Sequence, residues 1–356
     1  MRRTVALPLL VLWIAAGCRH RAGSDAAPPT DSGTDAAGTD AGTDAGAPDS
    51  GDDCLLGDAG TERTLAESGY FSDPCARVVD PALVEFAPQY VLWSDGATKR
   101  RWIKLPPGGI IDTSDMDHWV FPIGTQFFKE FTRDGVRVET RLIERTGPGA
   151  FDYWMGSFVW LPDQTEAIFA PDGAVDVNGT PHNVPAANQC WACHIGDAGR
   201  ILGFSAVQLS KPGPGVNLDW LISEGLLSDP PPLGSDFAAP GTPDEVAALG
   251  YLHANCGHCH NPLGGAWPYT DQILRLNVAD RIADQTTTWT TTVDVPLVWF
   301  MEPPFAFRIV SGDPTMSAII WRMSNRGNPD QMPPLATEIT DPTGIATVST
   351  WITGLP

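Results

Sequence analysis

The pentapeptide Cys-x-x-Cys-His occurs twice in this 356-residue chain, at 190–194 and at 256–260. Two thiols three residues apart can each form a thioether with a vinyl group of one haem, and the adjacent imidazole then lies beneath the iron as its proximal ligand. We therefore expect two covalent haem c groups, each with a histidine on its iron. The expected thioether cysteines are Cys190, Cys193, Cys256 and Cys259, and the expected histidine ligands are His194 and His260.

Two other chemistries use cysteine pairs of this spacing. Each pair supplies half of a tetrahedral zinc site, so the two pairs together could supply four thiolates. A thioredoxin-like dithiol also has this spacing, but it belongs to a βαβ unit that the sequence does not indicate. The histidine directly after both pairs, in a chain that carries an export signal, favours haem over either alternative.

The first 17 residues have the pattern of a bacterial secretory signal. Two arginines precede an apolar run over residues 5–14, which is too short to span a bilayer. The following Ala-Ala-Gly-Cys, at 15–18, resembles the lipobox of bacterial lipoproteins, which implies cleavage before Cys18 and lipidation of its thiol. Several acyl chains on one residue would anchor the protein stably to a membrane. An ordinary signal peptide that ends near a cysteine is the alternative.

Residues 18–53 are expected to form a disordered acidic tether. From residue 22 onward this segment is built from Asp, Ala, Gly, Ser, Thr and Pro, with eight Asp and no Lys or Arg, so it cannot bury enough apolar surface to fold. The net charge of −21 becomes −13 without those eight Asp, so the remaining chain is acidic too. Nucleic acid and anionic lipid head groups are therefore poor partners, whereas a cationic redox partner could be steered to this surface.

Cys54 and Cys75 remain after the other five of the seven cysteines are assigned to lipid and haem. Disulfides persist in the oxidising compartment to which an exported chain is delivered. We therefore expect a disulfide between these two cysteines, at the start of the folded part. Two unrelated free thiols are the alternative.

Residues 54–187 are expected to form a β-rich domain resembling a small antiparallel sandwich. Alternation within 137–145 predicts a strand with one solvated face. A basic cluster within this domain indicates a solvated strand face or, alternatively, a site for haem propionates or an acidic partner; it consists of Lys99, Arg100, Arg101 and Lys104. Short runs bounded by Pro, Gly and Asp predict strands at 90–93, 101–105, 125–132, 137–145 and 157–161.

Helices are expected around both haem motifs, which makes the chain an α+β protein. Residues 188–240 would form a small module for the first haem, and 241–356 an all-α domain for the second. Thr242 as N-cap, followed by proline, predicts a helix that leads to the second motif, and Asp-Pro at 341–342 predicts a C-terminal helix. Between these helices Met332 precedes two prolines, which would hold its sulfur over the second iron. A methionine packed in the core is the alternative.

This C-terminal pattern resembles the class I cytochrome c fold. The likeness rests on Cys-Gly-His-Cys-His-Asn-Pro at 256–262, Ser-Gly-Asp-Pro at 311–314, Met-Pro-Pro-Leu at 332–335 and Trp-Ile at 351–352. The wider order of motifs resembles a family of exported diheme c-type cytochromes, over residues 64–356. It includes Trp-Ser-Asp-Gly-Ala-Thr-Lys-Arg-Arg at 93–101, Phe-Pro-Ile-Gly-Thr at 121–125 and Asn-Gln-Cys at 188–190. The resemblance implies covalent haem and electron transfer, and it implies no substrate.

We therefore expect a lipid-anchored electron carrier in which the first haem exchanges electrons with the second and then with an external redox protein. Arg19, rather than Asp, after the lipidated cysteine resembles the sorting signal for the outer membrane, facing the periplasm or the cell surface. An open first iron would instead suit a diheme peroxidase or another oxidoreductase, and a partner-binding surface lipoprotein is a third alternative. No acid–base constellation indicates catalytic residues. The candidate second ligands of the first iron are His118, His182, His253, Met155 and Met301.

Overall fold

A computed structural model describes residues 63–213, 215–300, 302 and 304–356. The predicted signal peptide and tether, together with Cys18 and Cys54, lie outside the described residues, whereas Cys75 is disulfide-bonded. The strands are β1 (Phe71–Asp73), β2 (Val78–Val79), β3 (Val84–Glu85), β4 (Thr98–Lys104), β5 (Gln126–Arg133), β6 (Val136–Arg145), β7 (Tyr153–Trp160) and β8 (Ala167–Phe169). The α-helices are α1 (Cys190–His194), α2 (Ala206–Leu209), α3 (Leu218–Ser223), α4 (Pro243–Asn255), α5 (Thr287–Thr290), α6 (Ala318–Ser324) and α7 (Pro342–Thr353).

Six strands form one antiparallel sheet in the order β3-β4-β5-β6-β7-β8, and β1 pairs with β2 in a separate two-stranded ribbon. Together with the helices, this sheet confirms the α+β class. Four of the five predicted strands fall within or overlap β4, β5, β6 and β7, whereas residues 90–93 form no strand. Because every described ladder is antiparallel, the βαβ unit of a thioredoxin-like dithiol is not formed by these strands.

Both faces of the sheet are covered. On one face Trp102, Phe128 and Leu142 pack against the segment that carries Leu65 and Tyr70. On the other face, Ile103 and Phe127 pack against side chains from the region of α2 and α3. The prediction that one face of β6 is solvated holds only in part, since Arg137, Arg141 and Arg145 are half-buried, whereas Glu139 on the same face is fully buried. Alternation within the strand does not reveal that residues from 201–227 pack on this face near Ile143.

The predicted helices of the C-terminal part are confirmed. Thr242 caps α4 through a capping box, in which its hydroxyl accepts from the Glu245 N–H and the Glu245 carboxylate accepts from the Thr242 N–H. Asp341 caps α7. The apolar faces of the two helices meet in a core that contains Leu249, Leu252, Val348 and Ile352. None of the described helices combines the length and apolar character needed to cross a bilayer.

Loops of the C-terminal part are hydrogen-bonded directly to the β-rich part. The Asp117 carboxylate accepts from the Val278 N–H at 2.7 Å, and the Asp117 carbonyl accepts from the Arg275 guanidinium at 2.7 Å. The Tyr90 hydroxyl accepts from the Ala239 N–H at 2.8 Å. The N–H groups of Tyr90 and Trp93 donate to the side chains of Gln208 and Asn255 at 3.0 and 2.7 Å, so they are not available to a neighbouring strand. The loops on either side of α4 are therefore hydrogen-bonded to loops of the β-rich part.

Candidate functional site

Both pentapeptides border one cavity of about 650 Å³. This volume lies within the range of small-molecule and cofactor pockets. The structure thus brings together residues that are up to 142 positions apart in sequence. The predicted site residues that line this cavity are Cys190, Cys193, His194, Cys256, Cys259, His260 and Met332.

His194 ends the short helix α1 and has one ring nitrogen already engaged. Its Nδ1 lies 2.6 Å from the Arg200 carbonyl oxygen, so an Nδ1–H can donate there and leave the Nε2 lone pair available. The Arg200 side chain in turn donates to the Ala150 carbonyl at 3.0 Å. Burial lowers the pKa of His194 to about 4, so its imidazole is neutral at neutral pH. A neutral imidazole oriented by a carbonyl is the form that ligates iron.

His260 is the corresponding residue of the second pentapeptide, which follows α4 directly. Burial, with smaller effects of nearby arginines, lowers the pKa of His260 to about 4, so this imidazole is also neutral at neutral pH. The carbonyl of His260 accepts from the Leu274 N–H at 2.8 Å, which fixes the backbone beneath the ring. Burial raises the pKa of Cys256 to about 12, which keeps its thiol protonated.

Met332 lies in a loop that several hydrogen bonds hold against α6. Its N–H donates to the Arg322 carbonyl at 3.0 Å. The neighbouring Gln331 side chain donates to the Pro333 carbonyl at 3.1 Å and to the Thr337 carbonyl at 3.3 Å. This bonding positions a soft thioether on the wall of the same cavity that His260 borders.

Asp95 links this loop to the rest of the protein, a role that the sequence did not reveal. Its buried carboxylate accepts from the N–H groups of Glu338 and Ile339 at 2.8 and 3.0 Å. Two residues earlier, the Trp93 N–H donates at 2.7 Å to the side chain of Asn255, which directly precedes the second pentapeptide. No local sequence pattern indicates that Trp93 and Asp95 have partners more than 160 residues away.

The two pentapeptides touch each other. The Sγ atoms of Cys193 and Cys259 and a ring nitrogen of His258 lie within 4.8 Å of one another. Because the two thiols share a hydrogen bond, the pKa of Cys193 is lowered and that of Cys259 is raised. Nearby, the Asp197 carboxylate and the Arg275 guanidinium form an ion pair at 3.0 Å. The two cofactor sites predicted by the sequence are therefore neighbours.

A zinc site built from all four pentapeptide thiolates is not assembled among the described residues. Among the residues that the structure describes, only Cys193, Cys259 and His258 form a group of three or more possible metal ligands within binding distance of one another. Structural zinc sites require four protein ligands. The four-thiolate alternative is therefore not supported by this part of the chain.

The candidates for the second ligand of the first iron fall into two groups. His182 and Met155 border the cavity, and the His182 Nε2 lies 2.9 Å from the buried Glu139 carboxylate. His118 instead pairs with Asp115 near the surface. His253 does not line the cavity, and its Nδ1 accepts from the Leu276 N–H at 3.0 Å. Met301 lies outside the described residues, so His182 and Met155 are the described candidates that remain.

Two cations on the cavity wall were not singled out from the sequence. Lys129 lies on β5 and Arg141 on β6, and the strand register sets them opposite each other. Their alternation along each strand was visible in the sequence, but the pairing between strands was not.

Comparisons with protein-family models, with curated proteins and with solved structures find no match to this chain.

Proposed function

We propose that this protein is an exported, membrane-anchored diheme c-type cytochrome that transfers electrons. One observation carries the proposal: two Cys-x-x-Cys-His motifs and a methionine loop border a single cavity. The donor set fits haem c, since each motif combines two thiols with a buried neutral histidine. When bound, haem supplies the one-electron chemistry of its iron.

The chain's own residues would attach, orient and tune the cofactors. His194 and His260 would be the proximal ligands, and Met332 would complete the second site, where a thioether raises the reduction potential relative to a second imidazole. Cys193 and Cys259 would attach the two cofactors at neighbouring points, because their sulfur atoms belong to one cluster. Short separation favours direct electron exchange, and this supports a carrier that passes electrons between the two sites.

The finer architecture and location belong to the same proposal. We infer that 241–356 is a cytochrome c-like domain and that the six-stranded sheet with its two-stranded ribbon supports the first haem. Lipid on Cys18 would anchor the protein to the outer membrane, and the partner would be another redox protein rather than nucleic acid. The acidic composition supports a cationic docking surface on that partner.

Haem counting tests this proposal. The chain is matured in cells that attach haem c, denatured and extracted with acidified acetone. We expect two haems per chain to remain bound, and one to remain in each of two double variants, Cys190→Ala/Cys193→Ala and Cys256→Ala/Cys259→Ala. His258→Ala serves as the control and should keep both. Extraction of all the haem from the unsubstituted chain would refute the proposal.

The spin state of the oxidised protein separates the carrier from an enzyme. Low-spin iron at both sites supports electron transfer. Loss of the low-spin signal of the first haem on substitution of His182 or of Met155 would then identify that residue as the second ligand. High-spin iron at the first site, together with turnover of peroxide, would support the oxidoreductase alternative instead.

The thiol–imidazole cluster supports a second candidate, a divalent metal site. Cys193, Cys259 and His258 supply two sulfurs and one nitrogen, the number of protein ligands in a catalytic zinc site that keeps one position for water. Metal analysis distinguishes the two: one equivalent of zinc and no covalent haem in the exported protein would favour this candidate.

A further inference from the structure

A row of three cations crosses the sheet beside the first pentapeptide. The register pairs Arg101 of β4 with Lys129 of β5, and Lys129 with Arg141 of β6. Side chains directly opposite each other in neighbouring strands point to the same face. Lys129 and Arg141 border the cavity, and Arg101 is only 6% exposed. Like charges this close repel one another, so a carboxylate beside the row would be stabilised.

Among the described residues, the Glu139 carboxylate lies beside this row, and Arg141 and His182 already contact it. Glu139 is fully buried and accepts two hydrogen bonds from Arg141, at 2.8 and 2.6 Å. The same carboxylate lies 2.9 Å from His182. The side chains of Arg101 and Lys129 make no hydrogen bond or ion pair with a described residue, and the Lys129 ammonium lies 4.9 Å from the centre of the Phe131 ring. Burial, then the charges of neighbouring cations, lowers the pKa of Lys129 well below its ordinary value.

The basic residues on the opposite face of β4 behave differently. Arg100 pairs with Glu85 at 2.8 Å, and Lys104 pairs with Asp80 at 2.6 Å. The basic cluster predicted from the sequence therefore splits by strand alternation. Arg100 and Lys104 are compensated by carboxylates, whereas Arg101 faces the row. Lys99, on the same face as Arg101, donates to the Leu92 carbonyl.

The row borders the same cavity as the first pentapeptide. Lys129 and Arg141 line this cavity together with Cys190 and His194. A haem attached here would bring two carboxylates on its propionate groups. Guanidinium and ammonium groups stabilise carboxylates through charge-assisted hydrogen bonds.

We propose that Lys129, supported by Arg101 and Arg141, binds the propionate carboxylates of the first haem and raises the reduction potential of that haem. This inference rests on the proposed function, since it needs haem at 190–194. A cation beside the propionates offsets negative charge that would otherwise favour the oxidised iron. These three residues are positioning residues and do not bind the iron.

The test is a redox titration of the mature two-haem protein carrying Lys129→Met. We expect both haems to be retained, the potential of the first haem to fall, and that of the second to stay near its original value. Lys129→Arg should restore the first potential. Lys104→Met is the matched control, because it removes a lysine that already has a carboxylate partner. The first haem is identified by its loss in Cys190→Ala/Cys193→Ala.

Failure of the inference is distinguishable from failure of the proposed function. Two haems with an unchanged first potential in Lys129→Met would overturn the inference and leave the diheme assignment intact. If Lys129→Met does not mature, the reduction potential of the first haem is measured in Arg101→Gln instead. Arg100→Gln, on the opposite face of the same strand, is then the control. The first potential should fall only in Arg101→Gln. A saturable shift of the first potential by added acetate, lost in Lys129→Met, would show that the row holds an external anion and would also overturn the propionate assignment. An unsubstituted chain without covalent haem would refute both.

Discussion

The Asp95 side chain holds the methionine loop of the proposed second haem site. Its substitution by Asn keeps a residue type that tolerates the left-handed φ of 50° found there. It removes the negative charge that strengthens two hydrogen bonds to backbone N–H groups next to the methionine loop. We expect Asp95→Asn to reduce the free energy of unfolding by about 1–3 kcal/mol. The absorption band of methionine bound to ferric haem should weaken as well.

Asp134→Asn is the matched control for this change. Asp134 has the same left-handed φ of 50°, but its side chain is 62% exposed and lies in a tight turn between β5 and β6. Chemical denaturation, followed by fluorescence, measures both variants. Equal unfolding free energies for the two variants would contradict the role assigned to Asp95.

Glu139 makes stability depend on pH in a predictable direction. Burial alone would raise its pKa, but Arg141 and His182 outweigh burial and lower the pKa to about 2. An acid whose pKa is depressed in the folded state stabilises the fold fully above its unfolded pKa of about 4.3. This contribution, about 3 kcal/mol, is lost as pH falls from about 5 towards 2.

Glu139→Gln should therefore flatten the decline in unfolding free energy over that pH interval. The variant will also be less stable at neutral pH, because the Arg141 charge loses its partner. Denaturant titrations at several pH values between 2 and 6 measure the slope. Glu144→Gln, on the same strand, should keep the original slope. An unchanged slope in Glu139→Gln would exclude this residue as the source.

At the scale of elements, sequence patterns predicted structure where the signals are local. The ends of α4 and α7 were predictable because Thr242 and Asp341 cap helices within a few residues of themselves. The pentapeptides were recognisable for the same reason. The run at 90–93 was predicted wrongly because the N–H groups of Tyr90 and Trp93 bond to the side chains of Gln208 and Asn255, about 120 and 160 residues away. The cation row and the contact between the pentapeptides likewise depend on long-range pairing.

The contact between the two pentapeptides depends on a glycine. A Cβ atom at Gly196 would lie 1.7 Å from the His258 carbonyl oxygen, which is a backbone atom and cannot rotate away. Gly196→Ala should therefore separate the two motifs and reduce the free energy of unfolding by about 1–3 kcal/mol. The circular dichroism of the main haem band should also change, since its shape depends on contact between haems.

Gly213→Ala provides the comparison for this substitution. No described atom beyond the adjacent residues lies within 4 Å of a Cβ built at Gly213, so alanine has space there. Unfolding and haem dichroism are measured on both variants after maturation. If Gly196→Ala matches Gly213→Ala in both measurements, the two motifs do not touch through this glycine.

At the scale of the whole molecule, two hydrophobic cores share residues. One core joins Phe127 of the sheet to the region of α2 and α3, and the other joins α4 to α7. Val207 of α2 belongs to the second core, and Phe237 and Val278 pack against both. The boundaries predicted at 187 and 240 are therefore crossed by packed side chains. Each segment alone would expose apolar surface that its neighbours now cover.

This sharing predicts that residues 63–356 unfold as one unit. Thermal unfolding followed by far-ultraviolet circular dichroism, which reports on the sheet and helices, should coincide with unfolding followed by haem absorption. A fragment limited to 241–356 should unfold at a lower temperature than the full chain, because it loses the contacts that Asp117 makes with its backbone and with Arg275. Two separate transitions in the full chain, with a fragment as stable as the parent, would instead indicate that the cytochrome-like part is an independent domain.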